Sequence, residues 1–178
     1  MSTEPSSYRK LAAIMFADIV GYTAMMQTDE RKASTLLDKF LKTINDQVEK
    51  HNGRVVNNYG DGCVCTFDSA VDAIYCAKES QSIFISEPMV PVRLGLHSGD
   101  VFYKEGNVFG DSVNLTSRIE SMGIASSILI SKRLRDVVKN QSNLKLNSLG
   151  LFEFKNVEEP IEVFALANDG IVVPRKKI

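Results

Sequence analysis

Two aspartates stand where strand patterns break off. Asp18 follows the apolar run Lys10 to Ala17 (KLAAIMFA), and Gly21 comes three residues later. Asp61 sits in Gly60-Asp61-Gly62, between Arg54 to Tyr59 and Cys63 to Phe67. Carboxylates at the ends of neighbouring strands can converge, and two hard oxygen ligands can hold one or two Mg²⁺ ions. Gly21, Tyr22 and Thr23 open a turn or helix beside Asp18, where backbone N–H groups can receive phosphate oxygens. Taken singly, Asp61 also fits a plain turn residue and Asp18 a helix N-cap.

Asn114 and Arg118 make a second constellation. They are four apart, so on a helix they point the same way. Leu115, Ile119 and Met122 form the apolar arc beside them. An Arg fork next to an amide suits the equatorial oxygens of a phosphoryl transition state. The plain alternative pairs Arg118 with Glu120 or Asp111 on the surface.

Positioning these residues requires a scaffold, and the patterning supplies one. Ser2 to Tyr8 reads as disordered. Lys10 to Ala17 predicts a buried strand. Ala33, Leu36, Leu37, Phe40, Leu41, Ile44 and Val48 recur on one helix face, which predicts a helix over 29–52 with Gly53 as its C′ residue. The runs around Gly60-Asp61-Gly62 predict a hairpin. Ser69 with Asp72 predicts a capped helix reaching Ile85. Val92 to Leu96 and Val101 to Tyr103 read as a strand pair near His97-Ser98-Gly99. Gly110 to Met122 predicts the helix of Asn114 and Arg118. Ile128 to Ile130 reads as a strand, and Ser131 caps a helix to about Lys139. The stretch up to Leu166 is strand-like, and Asn168 to Ile178 reads as a loose tail. Together these give an α/β or α+β domain with an antiparallel or mixed sheet.

The chain has 178 residues, enough for one domain with short tails. Its composition, 44% hydrophobic and 24% charged, excludes global disorder. Lys plus Arg total 21 against 22 Asp plus Glu, so bulk charge does not point to nucleic acid or a membrane surface. No apolar run approaches a membrane span, and Met1 to Tyr8 lacks a signal-peptide core. The expectation is a soluble, cytoplasmic polypeptide. Cys63, Cys65 and Cys76 read as small apolar residues rather than a disulfide framework or zinc site. His97 reads as structural.

In order along the chain, these segments resemble the class III nucleotide cyclase catalytic domain of bacterial type. Phe16-Ala17-Asp18-Ile19-Val20-Gly21-Tyr22-Thr23 resembles the family's first metal motif, and Tyr59-Gly60-Asp61-Gly62 its second. Arg93-Leu94-Gly95-Leu96-His97-Ser98-Gly99 is similar to its central strand. Gly110 to Ile119 resembles its transition-state helix, and Leu149 to Leu166 its closing strands. The resemblance spans about residues 9–167, between a disordered segment 1–8 and a flexible tail 168–178.

The resemblance implies an α+β fold with a ferredoxin-like βαββαβ core plus additional strands and helices. It implies that Asp18, Asp61 and the Ile19 carbonyl bind two divalent cations, Mg²⁺ or Mn²⁺. Asn114 would orient the ribose and Arg118 would stabilise the α-phosphate. Arg93 and Lys155 would meet the β- and γ-phosphates, alongside Gly21, Tyr22 and Thr23. Two such domains pair head to tail, so a homodimer with two complete sites is expected. The implied reaction converts a nucleoside triphosphate to its 3′,5′-cyclic monophosphate and pyrophosphate. A regulatory domain outside this chain is also expected.

The family's two base-reading positions fall on Asn57 and Asn107, and both depart from its usual code. A carboxamide matches the N6 donor and N1 acceptor of adenine, and no Glu is present to clasp guanine. ATP is therefore favoured. A turned amide also suits guanine, so GTP or a pyrimidine triphosphate is the alternative. A catalytically silent nucleotide-binding domain is a further one.

Overall fold

Thirteen residues, Ser7–Ile19, form β1, the strand on which the sheet is assembled. The computed structural model describes residues 7–175. After β1 come α1 (Tyr22–Thr28), α2 (Glu30–Lys50), β2 (Gly53–Tyr59), β3 (Gly62–Phe67), α3 (Ala70–Ile85) and β4 (Val92–Lys104). They are followed by β5 (Asn107–Phe109), α4 (Asp111–Ser121), β6 (Ile128–Ser131), α5 (Lys132–Val138), β7 (Leu146–Phe152) and β8 (Ile161–Leu166).

The sheet runs β2-β3-β1-β4-β6-β8-β7, with β5 pairing β4. Elements β1, α2, β2, β3, α3 and β4 make the ferredoxin-like βαββαβ core, and β6, β8 and β7 extend it. The β4–β6 pair is parallel and the other pairs are antiparallel. The register breaks at a bulge between Val55 and Asn57 in β2, and again between Ser148 and Gly150 in β7.

Strand alternation decides which residues face which layer. Ala13, Met15, Ala17 and Ile19 of β1 pack in a core with α2, α3 and α5. Ala12, Ile14 and Phe16 face the other side, where Val113 of α4 packs. Asp18 continues that second series. On β4, Val92, Leu94 and Leu96 enter the first core. Arg93, Gly95 and His97 therefore face α4.

The helix over 29–52 forms largely as expected, capped by the Asp29 side chain accepting from the Lys32 N–H. Its end differs. Asn52, at φ 60°, takes the left-handed position, and Gly53 opens β2 instead. Gly53 has a packing reason: a Cβ there would stand 2.4 Å from the Phe67 ring. The Ser69 cap forms as read, accepting from the Asp72 N–H. Cys63, Cys65 and Cys76 are free, buried thiols of the first core.

Three expectations are corrected. His97-Ser98-Gly99 is not near a turn, because β4 runs unbroken against the full length of β1. Its glycines mark close helix approach: a Cβ at Gly95 or Gly99 would collide with Glu120 or Ser112 of α4. Ser7 and Tyr8 are strand residues, paired with Lys104 and Tyr103, and Tyr8 stacks on Tyr103. The rest of the expected N-terminal segment, residues 1–6, lies outside the described residues. The tail packs on the domain as far as Val173: Ile171 joins the first core, the Val172 N–H donates to the Ser126 carbonyl at 2.9 Å, and Val173 packs against the cluster around α4. Residues 176–178 lie outside the described residues.

Candidate active site

The β2–β3 hairpin brings Asp61 against the end of β1. Asp18 pairs in register with Gly62, and the Ile19 N–H donates to the Asp61 carbonyl at 3.0 Å. Gly60, at φ 62°, makes the turn. Gly62 admits the close approach, since a Cβ there would stand 3.2 Å from the Asp18 Cβ and 2.9 Å from the Tyr59 ring. The chain then turns through Gly21, at φ 73°, into α1. No side chain caps α1, so the first-turn N–H groups of Tyr22 and Thr23 have no intrahelical partner.

Arg93 faces Asp18 across the β1–β4 ladder. Its Nε donates to Asp18 Oδ1 at 2.9 Å and its Nη2 to Asp18 Oδ2 at 3.1 Å. The same Nε reaches Glu120 Oε1 at 3.0 Å, and Nη1 donates to the Ser121 carbonyl at 3.3 Å. Arg93 therefore ties the Asp18 carboxylate to α4. Burial, then the adjoining Asp18, pushes the Glu120 carboxyl well above its ordinary range, while Arg93 opposes the shift.

Arg118 makes a separate group. It pairs with neither Glu120 nor Asp111; its Nη1 donates to the Lys155 carbonyl on the β7–β8 connection. Arg118 and Lys155 line a cavity of about 660 Å³ with Met122, Phe152 and Phe154 among its walls. Asn114 lies one turn earlier on α4 and is exposed. Arg118 and Glu120 are two positions apart, which turns them about 200° around the helix. Glu120 reaches the Asp18 side and Arg118 the Lys155 side.

Asn57 is exposed beside the β2 bulge. Asn107 is half-buried on β5, and its Oδ1 accepts from the Val108 N–H at 2.8 Å. The strands that carry these two residues approach within 8 Å between Cα atoms. His97 is buried under α4, with Nδ1 2.7 Å from Ser131 Oγ. Burial and the nearby Arg133 lower its pKa to about 4.

One chain thus gathers Asp18, Ile19, Asp61 and Arg93 at one place and Arg118 with Lys155 at another. Sequence reasoning missed Glu120 as a partner of Asp18 and Arg93. The available signal was an acid on the buried side of α4, opposite the Arg93-Leu94-Gly95 strand. Among the described residues, no cluster of three or more His, Cys, Asp or Glu forms a metal cage. No helix among them is long and apolar enough to cross a membrane.

The fold is that of a nucleotide cyclase catalytic domain. Residues 5–168 match the family described as the adenylate and guanylate cyclase catalytic domain, and the chain belongs to that family, class III. The putative adenylate cyclase 3 of Rhizobium meliloti is 32% identical over 164 residues, covering 88% of this chain and 28% of that protein. An adenylate cyclase of Streptomyces coelicolor is 32% identical over 120 residues, covering 66% of this chain and 32% of that protein. The chain thus spans less than a third of either relative. An adenylate/guanylate cyclase/hydrolase structure from Silicibacter pomeroyi superposes with TM-score 0.84 at 28% identity, covering 92% of this chain and 99% of that one. The adenylyl cyclase CyaB from P. aeruginosa shares the fold, with TM-score 0.80 at 20% identity, covering 97% of this chain and 99% of that one.

Proposed function

We propose that the chain converts ATP to 3′,5′-cyclic AMP and pyrophosphate at sites formed between two copies. One observation carries the dimeric reading. Arg118 and Glu120 point to opposite sides of α4, so Arg118 turns away from the Asp18 carboxylate of its own chain. A partner related by a two-fold axis supplies the missing half to each site, and the arrangement closes with two sites.

Asp18, Asp61 and the Ile19 carbonyl would hold two divalent cations, Mg²⁺ or Mn²⁺. The fit is chemical. An all-oxygen set with two carboxylates suits hard cations that take further ligands from substrate phosphates. Asp18 also keeps a second lone pair on each oxygen that Arg93 contacts. When bound, such ions lower the pKa of the ribose 3′-hydroxyl and neutralise charge developing on the phosphates.

The protein's own residues do the positioning. Asn114 orients the ribose so that its 3′-oxygen lies in line with the α-phosphorus. That alignment replaces a costly search and contributes several kcal/mol. The Arg118 fork bonds the α-phosphate oxygens as charge builds on them. Lys155 and Arg93 draw the β- and γ-phosphates, and the Tyr22 and Thr23 amides add neutral donors. The new bond joins the 3′-oxygen to the α-phosphorus, and the hydroxyl proton passes to water. The bond to the bridging oxygen breaks, and pyrophosphate leaves with that electron pair.

ATP is favoured because Asn57 and Asn107 present carboxamides and no Glu stands ready for guanine. The adenylate cyclase names of the Rhizobium and Streptomyces relatives support the same choice. GTP or a pyrimidine triphosphate is the second reading, since amides also pair with those bases. The test offers ATP, GTP, CTP and UTP at equal concentration with Mn²⁺ or Mg²⁺ and resolves the products by mass spectrometry. Cyclic AMP is expected to dominate. A dominant cyclic GMP overturns the adenine choice, and no cyclic product from a dimeric preparation overturns turnover itself.

A further inference from the structure

The segment that follows β8 does not leave the domain directly. Ile171 is buried in the first core, and Val172 is hydrogen-bonded to Ser126. Val173 packs against the apolar cluster that α4 forms with β6, β7 and β8. This double anchoring carries Pro174 and Arg175 onto the wall of the 660 Å³ cavity that Arg118 and Lys155 line. Three cationic side chains therefore border one cavity, against the single carboxylate of Glu153. Among the described residues, neither Arg118, Lys155 nor Arg175 forms an ion pair with a carboxylate. Three cations beside one carboxylate leave an excess of positive charge, and an anion of high charge density relieves the repulsion among them.

We propose that Arg175 is a further phosphate-binding residue, placed by the strap 168–175 to contact the polyphosphate of the nucleotide beside Arg118 and Lys155. This rests on the cyclase reading of that wall. An Arg suits the position because its planar fork bonds two phosphate oxygens at once. The anchored residues Ile171, Val172 and Val173 hold the strap just before it, which limits how far Arg175 can stray from the cavity.

The test has a binding arm and a turnover arm. Inorganic tripolyphosphate is titrated calorimetrically into the full chain, the Arg175→Gln and Arg175→Lys variants, and Lys104→Gln as a charge-matched control. Arg175 is exposed, so thermal melting of its variants should match the wild type. The expected result is a roughly five- to tenfold weaker Kd for Arg175→Gln, the value of one charge-assisted contact. Arg175→Lys, which keeps the charge but not the fork, should fall between Arg175→Gln and the wild type, and Lys104→Gln keeps the wild-type affinity. In turnover, Arg175→Gln should raise KM more than it lowers kcat, because the contact is made in both ground and transition states. Equal affinity in wild type and Arg175→Gln, or no binding by the wild type, overturns the proposal. If the wild type makes no cyclic nucleotide, the reaction assignment fails, while the tripolyphosphate comparison still decides the role of Arg175.

Discussion

Gly95 lies directly beneath the backbone of Glu120: a Cβ at position 95 would stand 2.5 Å from the Glu120 Cα and 2.6 Å from its nitrogen. The absent side chain lets α4 sit flush on β4. That seating lets Glu120 share Arg93 with Asp18. Gly95→Ala should therefore lift α4 and disturb both halves of the site. Overpacking of this kind costs about 1–3 kcal/mol. The urea midpoint should fall and cyclase turnover should fall with it. An unchanged midpoint would mean that α4 yields without strain.

Asp18→Ala and Arg118→Ala should each abolish turnover alone and recover it when mixed. Each mixed dimer contains one site with both residues intact. Random exchange makes half the dimers mixed, so activity should return to roughly a quarter of wild type. Turnover measured against mixing ratio checks this. A mixture as silent as its components would place the whole site within one chain.

Asn57→Glu should move the preference from ATP toward GTP. A carboxylate accepts from the guanine N1–H and N2–H₂ and leaves the N1 of adenine facing another acceptor. The ratio of kcat/KM for GTP over ATP should rise by roughly tenfold or more. An unchanged ratio would remove position 57 from base reading.

His97 should make stability depend on acid. Its folded pKa is lowered to about 4, while the unfolded chain binds that proton near the ordinary value of about 6.5. Its contribution is thus complete above pH 6.5 and is lost as pH falls from about 6.5 to about 4. The loss is of the order of 3 kcal/mol. His97→Gln should show a flatter fall of the urea midpoint over that window. Parallel curves for the two proteins would show that other groups govern the acid limb.

The local patterns of the sequence were legible where one element explains them. The α2 stripe, the Ser69 cap and the Gly60-Asp61-Gly62 turn each depend on neighbours in the chain. Long-range packing was not legible. Gly95 and Gly99 resemble turn glycines until α4 is placed over them, and Gly53 resembles a helix end until the Phe67 ring is placed beside it. The same reason hid Glu120, whose partners lie 27 residues away on β4 and across the ladder on β1. The strap escaped because Ile171, Val172 and Val173 show no helical or alternating period.

The bulges in β2 and β7 fall on the two outermost strands of the sheet. Each interrupts the regular row of amide donors and acceptors that a free edge offers to a foreign strand. Sideways stacking of copies into a continuous sheet is discouraged at both ends. The exposed backbone is therefore a poor template for aggregation.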